Sequence, residues 1–342
     1  MKWSCGSLAL LLLGCTALAQ EPVPQTAAPE NPILSADVVP GPSHALFPTD
    51  SPAGAERSPL SGNHNFPNFI NWLSNPIQNI DPRAVTAAYP MFGSAWFSTI
   101  PPVPDGNMQV YGPPMTVALG ERLAAGLSQG GYADMHLSRN QSGFLRQFDP
   151  LGEFRDVEAG GHRTGWVNFG GFVQYTVIED AADQCLLTAG MRWESPSGSH
   201  AVFQGYAPWH LAAYLTAGKG FGEFHVLATA GYQFPAGSGD FTTNLFYANI
   251  HLDRRCFGWL YPVVEFNSDY QTKSVNFGQI TRRGVLGLGD IESESTSISL
   301  AVGANAVLVP ERLEIGAVYT TVIGSTHDID LNGLLVKMTL RF

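Results

Sequence analysis

Two histidines lie close to carboxylates in segments where apolar and polar residues alternate. His225 follows Glu223 by two positions, and His251 precedes Asp253 by two positions. Two imidazoles and a carboxylate are a ligand set that can hold a transition metal. No tight ligand spacing such as H-x-x-x-H accompanies them, so we predict no metal site and no cofactor. The simpler prediction is that these residues belong to the polar faces of the segments that carry them.

These residues must be positioned by short alternating segments. From Ala88 onward, apolar and polar residues alternate in stretches of about ten residues, the length at which a tilted strand crosses a bilayer. A strand has a side-chain period of two, so each stretch has two distinct faces. Pro113 and Pro114 remove two backbone donors from the second stretch, where we expect a bulge or a break. The twelve predicted strands are 88–99, 108–118, 122–135, 165–178, 184–194, 209–218, 222–234, 243–253, 259–269, 296–308, 312–323 and 333–342.

The connections between these strands alternate in length. The short connections are 119–121, 179–183, 219–221, 254–258 and 309–311. The long connections are 136–164, 195–208, 235–242, 270–295 and 324–332. A soluble β-sandwich has no reason to sort its turns in this way, whereas membrane-spanning barrels have short turns at one end, long loops at the other and an even number of strands. We therefore predict an all-β fold: a transmembrane, antiparallel, up-and-down β-barrel of about 12 strands.

The last predicted strand carries the clearest pattern. In NGLLVKMTLRF, every second residue from Leu334 is apolar, the other face contains Lys337 and Arg341, and the chain ends on Phe342. This resembles the closing strand of Gram-negative outer-membrane barrels, whose terminal aromatic residue is an assembly signal. Residues 88–342 resemble barrels of the porin or transporter type, including outer-membrane transporters grouped with aromatic-degradation pathways. GERLAAGLSQGGYA and NGLLVKMTLRF are similar to uncharacterised barrel proteins of planctomycete-like bacteria. The resemblance implies the cell outer membrane as location, and outer-membrane lipid, barrel assembly machinery and small-molecule solutes as partners.

The N-terminal part of the chain differs from the rest. Residues 1–19 have a lysine, an apolar core and an A-x-A site, which predict a secretory signal peptide. A lipoprotein signal with an acylated Cys15 is the alternative. Residues 20–65 are rich in Pro and Ala and predict a disordered extension. Residues 66–87 are too apolar for a free linker, and they predict either a short element packed on the barrel rim or a plug that enters the lumen.

Composition narrows the function classes. The net charge is −11, so the chain lacks the positive footprint of a nucleic-acid-binding protein. Charged residues make up 14% of the chain, against about 25% in ordinary soluble domains. The chain after the signal peptide contains no run of about 18 apolar residues that would form a spanning helix. Such a chain can still cross a membrane, but it must then do so as a closed barrel, because only closure satisfies every backbone group in lipid.

Cys185 and Cys256 are the cysteines that remain after the predicted signal peptide. Three strand spacings separate them in the predicted barrel, or about 14 Å at the usual spacing. A disulfide requires Cα atoms within about 7 Å, so we predict two free thiols.

The predicted lumen contains both acidic and basic residues. They either solvate and brace the lumen or form a charged constriction that selects solutes, and their mixed signs indicate no ion preference. Glycines on the same faces (Gly126, Gly130, Gly170, Gly190, Gly231, Gly303 and Gly316) favour an open lumen, whereas close packing around them would favour a closed barrel. The lumen-lining candidates are Asp134, Arg192, Glu194, Glu223, His225, His251, Glu265, Glu314, Lys337 and Arg341.

The predicted function is a narrow passive channel or transporter for small solutes, because twelve strands lie between the filled barrels of eight strands and the wide channels of sixteen. The alternative is a structural or adhesive barrel without an open lumen, in which the external loops act. A barrel hydrolase is the enzyme alternative. We predict no enzyme activity, because we identify no G-x-S-x-G nucleophile elbow, H-E-x-x-H motif or phosphate-binding loop, and the outward faces show no His–Ser pair.

Overall fold

The computed structural model describes most of the barrel and the segment before it. The described residues are 60, 62–97, 106–137, 161–202, 204–205, 208–237, 244–271, 296–326 and 331–342. The predictions of a signal peptide at 1–19, of lipidation at Cys15 and of most of the extension at 20–65 lie outside these residues.

The described chain is built from β-strands. It includes a short 3-10 helix at His200–Val202. No helix within the described ranges is long and apolar enough to cross a membrane. The strand segments are β1 (Ala87–Ala88), β2 (Met91–Phe97), β3 (Gly106–Gly112), β4 (Met115–Ala118), β5 (Leu123–Gln129), β6 (Tyr132–Leu137), β7 (Gly161–Trp166), β8 (Phe169–Asp180), β9 (Cys185–Ser195), β10 (Trp209–Phe221), β11 (Phe224–Ala236), β12 (Leu245–Arg254), β13 (Leu260–Gln271), β14 (Thr296–Val309), β15 (Leu313–Thr326) and β16 (Leu331–Arg341).

These segments form one antiparallel sheet that closes on itself. Each of β8 to β15 pairs with the next segment in the chain, and β16 also pairs with both β1 and β2. The pairs β1–β2, β3–β4, β5–β6 and β7–β8 each occupy one position in the wall, so the barrel has twelve strands. The predicted fold class is therefore confirmed: the chain is an all-β, closed, up-and-down barrel.

An interruption runs across the first four strands of the wall. The second strand breaks at Pro113–Pro114 as predicted, because proline offers no backbone donor to the ladder. The third strand breaks at Gly130–Gly131, where both residues have positive φ angles of 157° and 141°. The first and fourth strands break at 89–90 and 167–168. On the short-turn side of this line the sheet closes through the β1–β16 pairing, whereas β7 on the other side pairs with β6 alone among the described segments.

The short turns lie at one end of the barrel, which we call the short-turn end. Its turns are 119–122, 181–184, 222–223, 255–259 and 310–312, as the strand bounds define them. The opposite end, the long-loop end, carries the connections 98–105, 138–160, 196–208, 237–244 and 272–295. The final connection at the long-loop end spans only 327–330, because β15 and β16 extend further than the sequence pattern indicated.

The outward face of the wall is apolar. Large apolar side chains are exposed there at alternate positions, whereas a soluble protein would bury them. A continuous apolar exterior is the surface that membrane-spanning barrels present to lipid. Representative exposed residues are Val173, Tyr175, Met191, Leu215, Tyr232, Phe246, Phe266, Val302, Tyr319 and Leu334.

Because every wall strand has two hydrogen-bonded neighbours, we expect the barrel to survive in sodium dodecyl sulfate without heating. The unboiled protein should then migrate faster on a detergent gel than the boiled protein, which is fully extended. Identical migration before and after boiling would contradict a closed barrel.

Cys185 and Cys256 form no disulfide bond in the described part of the chain. Cys185 begins β9 and Cys256 follows β12, three strand positions away along the wall. The structure agrees with the prediction that these two cysteines are not bonded to each other.

Candidate functional site

The chain before the first strand lies inside the barrel. This luminal segment, Gly62–Thr86, enters at the short-turn end, where Gly62 pairs with Val85 and the Asn63 N–H donates to the Ala84 carbonyl over 2.7 Å. It then leads directly into β1. The sequence predicted that residues 66–87 lie either on the barrel rim or in the lumen. The contacts described below are those of a segment in the lumen.

Apolar side chains of the luminal segment pack against inward residues of nearly the whole wall. Phe66, Phe69 and Trp72 are 0–1% exposed. Burial of aromatic side chains contributes strongly to stability, so the segment is held firmly in the lumen. Three clusters join it to the wall: Phe66, Phe69 and Trp72 with Leu186 and Leu227; Ile70 and Leu73 with Tyr261, Val263, Ala301, Val318 and Leu335; and Ile80 with Phe172, Tyr214, Leu245 and Tyr247.

A buried ion pair shapes the luminal segment internally. Arg83 and Asp81 form a two-pronged contact, with Nη2 to Oδ2 at 2.7 Å and Nε to Oδ1 at 2.9 Å. The same guanidinium donates to the carbonyls of Phe66 and Phe69 at 3.1 and 2.6 Å, so it ties the two halves of the segment together. Burial by itself raises the pKa of Asp81, but the Arg83 guanidinium outweighs burial and the net pKa lies below its usual value.

A chain of four ionisable side chains crosses the wall beneath the luminal segment. His225 Nδ1 contacts Asp253 Oδ1 at 2.7 Å, Asp253 Oδ2 contacts His251 Nε2 at 3.0 Å, and His251 Nδ1 contacts Glu265 Oε1 at 2.6 Å. All four side chains are at most 2% exposed. This cluster, the polar chain, occupies inward positions of β11, β12 and β13.

The polar chain anchors the backbone of the luminal segment. The Leu73 and Ser74 N–H groups donate to the two carboxylate oxygens of Glu265 at 2.8 and 2.5 Å. The ring of Trp72 lies 5.5 Å from that of His251, and the ring of Phe69 lies 5.1 Å from that of His225. Glu265 is thus the point at which the wall holds the middle of the segment.

His251 lies between two carboxylates. Its Nδ1 and Nε2 face Glu265 Oε1 and Asp253 Oδ2, and an ionised carboxylate only accepts hydrogen bonds. An imidazolium ring can donate to two such carboxylates at once, so this arrangement favours the charged form of the histidine.

Other predicted lumen residues lie on the inward face and are buried. Arg341 Nη1 contacts Glu314 Oε1 at 2.5 Å near the short-turn end. Lys337 lies over the ring of Tyr89 at 5.6 Å from its centroid. Near the long-loop end, Glu194 accepts a hydrogen bond from Asn168 at 2.7 Å, and Arg192 donates to Gln233. The lumen therefore contains both charge signs, and Arg341 and Glu314 form an ion pair there.

Two predicted lumen residues lie elsewhere. Glu223 lies with Gly222 in the two-residue turn between β10 and β11, where its side chain is 63% exposed. Asp134 lies on the outward face of β6. The sequence pattern placed it inward with Gly126, but a bulge between Leu127 and Gln129 shifts the alternation by one residue.

Three of the predicted lumen glycines lie beneath bulky side chains. A Cβ at Gly190 would meet the ring of Tyr214 at 2.3 Å, and one at Gly231 would meet the ring of Tyr247 at 2.3 Å. A Cβ at Gly316 would meet Leu73 of the luminal segment at 2.4 Å. Beside the segment, a cavity of about 20 Å³ has room for one water molecule. At these three positions, side chains of the wall and of the luminal segment fill the interior.

Some residues of this site were not found from the sequence. The Asp81–Arg83 pair lies in a short D-P-R stretch before the first strand, and nothing local marked it. The stretch 126–130 (GLSQG) matches the G-x-S-x-G pattern of hydrolases, so the prediction that this motif is absent from the sequence was wrong. Its Ser128 is buried on β5 and does not lie on a strand-to-helix turn, so the nucleophile geometry of that motif is missing.

Comparisons with known proteins identify barrels of related architecture. No protein-family model and no curated protein matches the chain. Among solved structures, it is similar to the COG4313 outer membrane channel from Pseudomonas putida F1, with a TM-score of 0.49, 10% identity, and 77% of this chain and 98% of that chain covered. It is also similar to the β domain of the Bordetella autotransporter BrkA (TM-score 0.43, 13% identity, 77% and 100% covered) and to the NanC porin (TM-score 0.42, 8% identity, 75% and 100% covered). These similarities carry no information about what this chain binds or passes.

Proposed function

We propose that the protein is an outer-membrane barrel that acts as a gated narrow channel for small polar solutes, with the luminal segment as its gate. The proposal rests on the side chains of the wall behind the luminal segment. This wall is lined by polar and ionisable side chains that form hydrogen bonds to a separate, non-strand piece of the same chain. Examples are Gln174, Thr188, Asn249, Glu265 and Asn267.

A polar wall supports gating, because burying polar side chains in a sealed interior costs free energy. Buried polar groups must be hydrogen-bonded, and an apolar filling would be the simpler way to close a lumen permanently. Here the hydrogen bonds are made to a segment that is tethered at β1 and enters from one mouth, so it can leave without unfolding the wall. Once it has left, water can solvate the same polar groups.

The outward face supports a location in an outer membrane. Its exposed apolar residues need lipid around them, and strands of this length can span a bilayer when tilted. The proposed orientation places the short-turn end in the periplasm, which also places Phe342 there. Its backbone N–H donates to Thr86 at 3.1 Å while its side chain stays 72% exposed, accessible to assembly machinery.

A barrel without an open lumen is the second candidate, and the packing around the inward glycines favours it. Tyr214 and Tyr247 project from the wall itself and fill the space over Gly190 and Gly231, where both also pack with Ile80 of the luminal segment. If these rings alone block the lumen, removal of the segment would leave it closed. The long loops would then carry the function, as structural or adhesive elements.

Planar-bilayer recording of the full barrel and of a variant without residues 63–82 separates the two candidates. We expect rare, small openings from the full barrel and persistent conductance from the variant, because the variant loses the side chains that occupy the lumen. The variant must retain heat-modifiable migration, which shows that its wall has formed. A folded variant without conductance at any voltage would contradict the channel and support the closed barrel.

A further inference from the structure

Three metal-ligating side chains meet on the outward face near the long-loop end. His162 Nε2 lies 2.7 Å from Asp134 Oδ1, and His136 Nδ1 lies 3.6 Å from the same oxygen. One ligand atom from each of the three residues lies within 4.8 Å of the other two. The ring centroids of the two histidines are 4.5 Å apart.

The sheet itself holds these side chains together. His136 on β6 is directly opposite His162 on β7, and Asp134 precedes His136 by two residues and so shares its face. Directly opposed residues in an antiparallel pair have Cβ atoms about 5 Å apart, close enough for both to reach one ion. The bulge between Leu127 and Gln129 brings Asp134 to this face, and without it the carboxylate would point inward.

The cluster lies above the apolar part of the wall. The edge-to-face pair of Tyr132 and Trp166, with ring centroids 5.4 Å apart, lies on the same face two residues from Asp134 towards the break in the strands. Aromatic residues of this kind mark the lipid–water interface of barrels. The pairing of β8 with β9 ends at Phe169 and Ser195. β7 therefore extends beyond the end of β9 by roughly 20 Å of chain. The histidine side chains are 54–58% exposed.

We propose that Asp134, His136 and His162 form a binding site for a zinc-like divalent transition metal on the outer rim of the barrel. Two imidazoles and a carboxylate are borderline ligands of the type that Zn²⁺ prefers, and three protein ligands leave a fourth position for water or another oxygen ligand. Bonds of about 2.0–2.1 Å to a tetrahedral ion require ligand atoms about 3.3 Å apart. The present separations of 2.7 and 3.6 Å bracket that value, so rotation of exposed side chains is sufficient to admit the ion.

A bound ion would connect the third and fourth strands beyond their break. The ladder between β6 and β7 stands above the interruptions at 130–131 and 167–168, and β7 has no further strand partner within the described residues. Metal coordination across this pair would add a cross-link in the part of the wall where β7 has only one strand partner. The metal should therefore protect the amides of β6 and β7 from exchange, as well as bind with defined stoichiometry.

The test is zinc titration of the full barrel, purified without a polyhistidine tag, in competition with a chromophoric chelator. We expect one high-affinity Zn²⁺ per barrel, and slower amide exchange in 132–137 and 161–166 with zinc than without it. Loss of an outer-shell partner alone costs about 10–100-fold in metal affinity, so His136→Ala, His162→Ala and Asp134→Asn should each weaken binding at least that much.

Two variants serve as controls. Thr164→Ala alters the residue opposite Asp134 on the same face, and His64→Ala removes a histidine at the other end of the barrel. Both should bind zinc like the unaltered protein. Unchanged zinc affinity in His136→Ala and His162→Ala, with heat-modifiable migration retained, would overturn the proposal, as would equal weakening by His64→Ala. Retained cobalt d–d absorption in His136→Cys would support direct ligation, because a thiolate is also a ligand.

Discussion

Glu265→Gln is expected to release the luminal segment while leaving the wall intact. The carboxylate accepts from the Leu73 N–H, the Ser74 N–H and His251 Nδ1, and all three donors are buried. A glutamine side chain has one oxygen, so its amide nitrogen must face one of these donors. An unsatisfied buried donor costs about 1–3 kcal/mol, more when charge is involved, and every 1.4 kcal/mol is tenfold in an equilibrium. The released population should therefore rise roughly 5- to 150-fold.

Hydrogen exchange of the segment 66–82 measures this release directly. Opening should accelerate exchange at Leu73 and Ser74 with little effect on the amides of β9 to β12. Glu223→Gln is the matched control, because it makes the same chemical change in an exposed turn and should leave exchange unchanged. Equal exchange in Glu265→Gln and the unaltered protein would show that the apolar contacts alone retain the segment.

Arg83→Met is expected to cause the larger loss of stability. The guanidinium neutralises Asp81 and donates to the carbonyls of Phe66 and Phe69, all within the lumen. Methionine has a similar length and no charge, so the carboxylate would remain buried without a partner. Breaking a buried ion pair on one side costs about 3–5 kcal/mol, which corresponds to a rise in the released population of roughly 10²- to 4 × 10³-fold.

Denaturant unfolding measures this loss of stability, and hydrogen exchange shows which residues lose protection. We expect fast exchange throughout 66–82, since Arg83 joins both halves of the segment. Arg255→Met removes an exposed arginine 3.9 Å from Glu223 and should change stability by no more than about 1 kcal/mol. Replacing both partners, in Asp81→Leu with Arg83→Met, should recover part of the loss, because an apolar pair leaves no buried charge. A double variant that is less stable than Arg83→Met would contradict this account of the pair.

The twelve wall strands were predictable because their signals are local. Side-chain alternation and turn length are both visible within about fifteen residues, and β9 to β13 each lie close to their predicted bounds. The break at Pro113–Pro114 was predictable for the same reason, since proline lacks a donor in any context. The connection before β16 was predicted too long, because polar residues at the end of β15 resemble a loop.

The face of Asp134 shows where local patterns fail. A bulge adds one residue to a strand and reverses every face beyond it, and a single sequence does not mark the position of that residue. The same shift places both Asp134 and His136 on the outward face, beside His162 on the neighbouring strand. The outward cluster therefore depends on register, which is a property of paired strands.

The sequence by itself determined that the chain closes into a β-barrel with an apolar exterior and a polar interior, because each strand carries that division in its own alternation. Only the tertiary structure decided what fills the interior. The contact of Leu73 with Glu265 joins residues 192 positions apart, and the polar chain draws on three strands. Such contacts depend on barrel closure and on the path of the luminal segment, and no local stretch of the sequence indicates either of them.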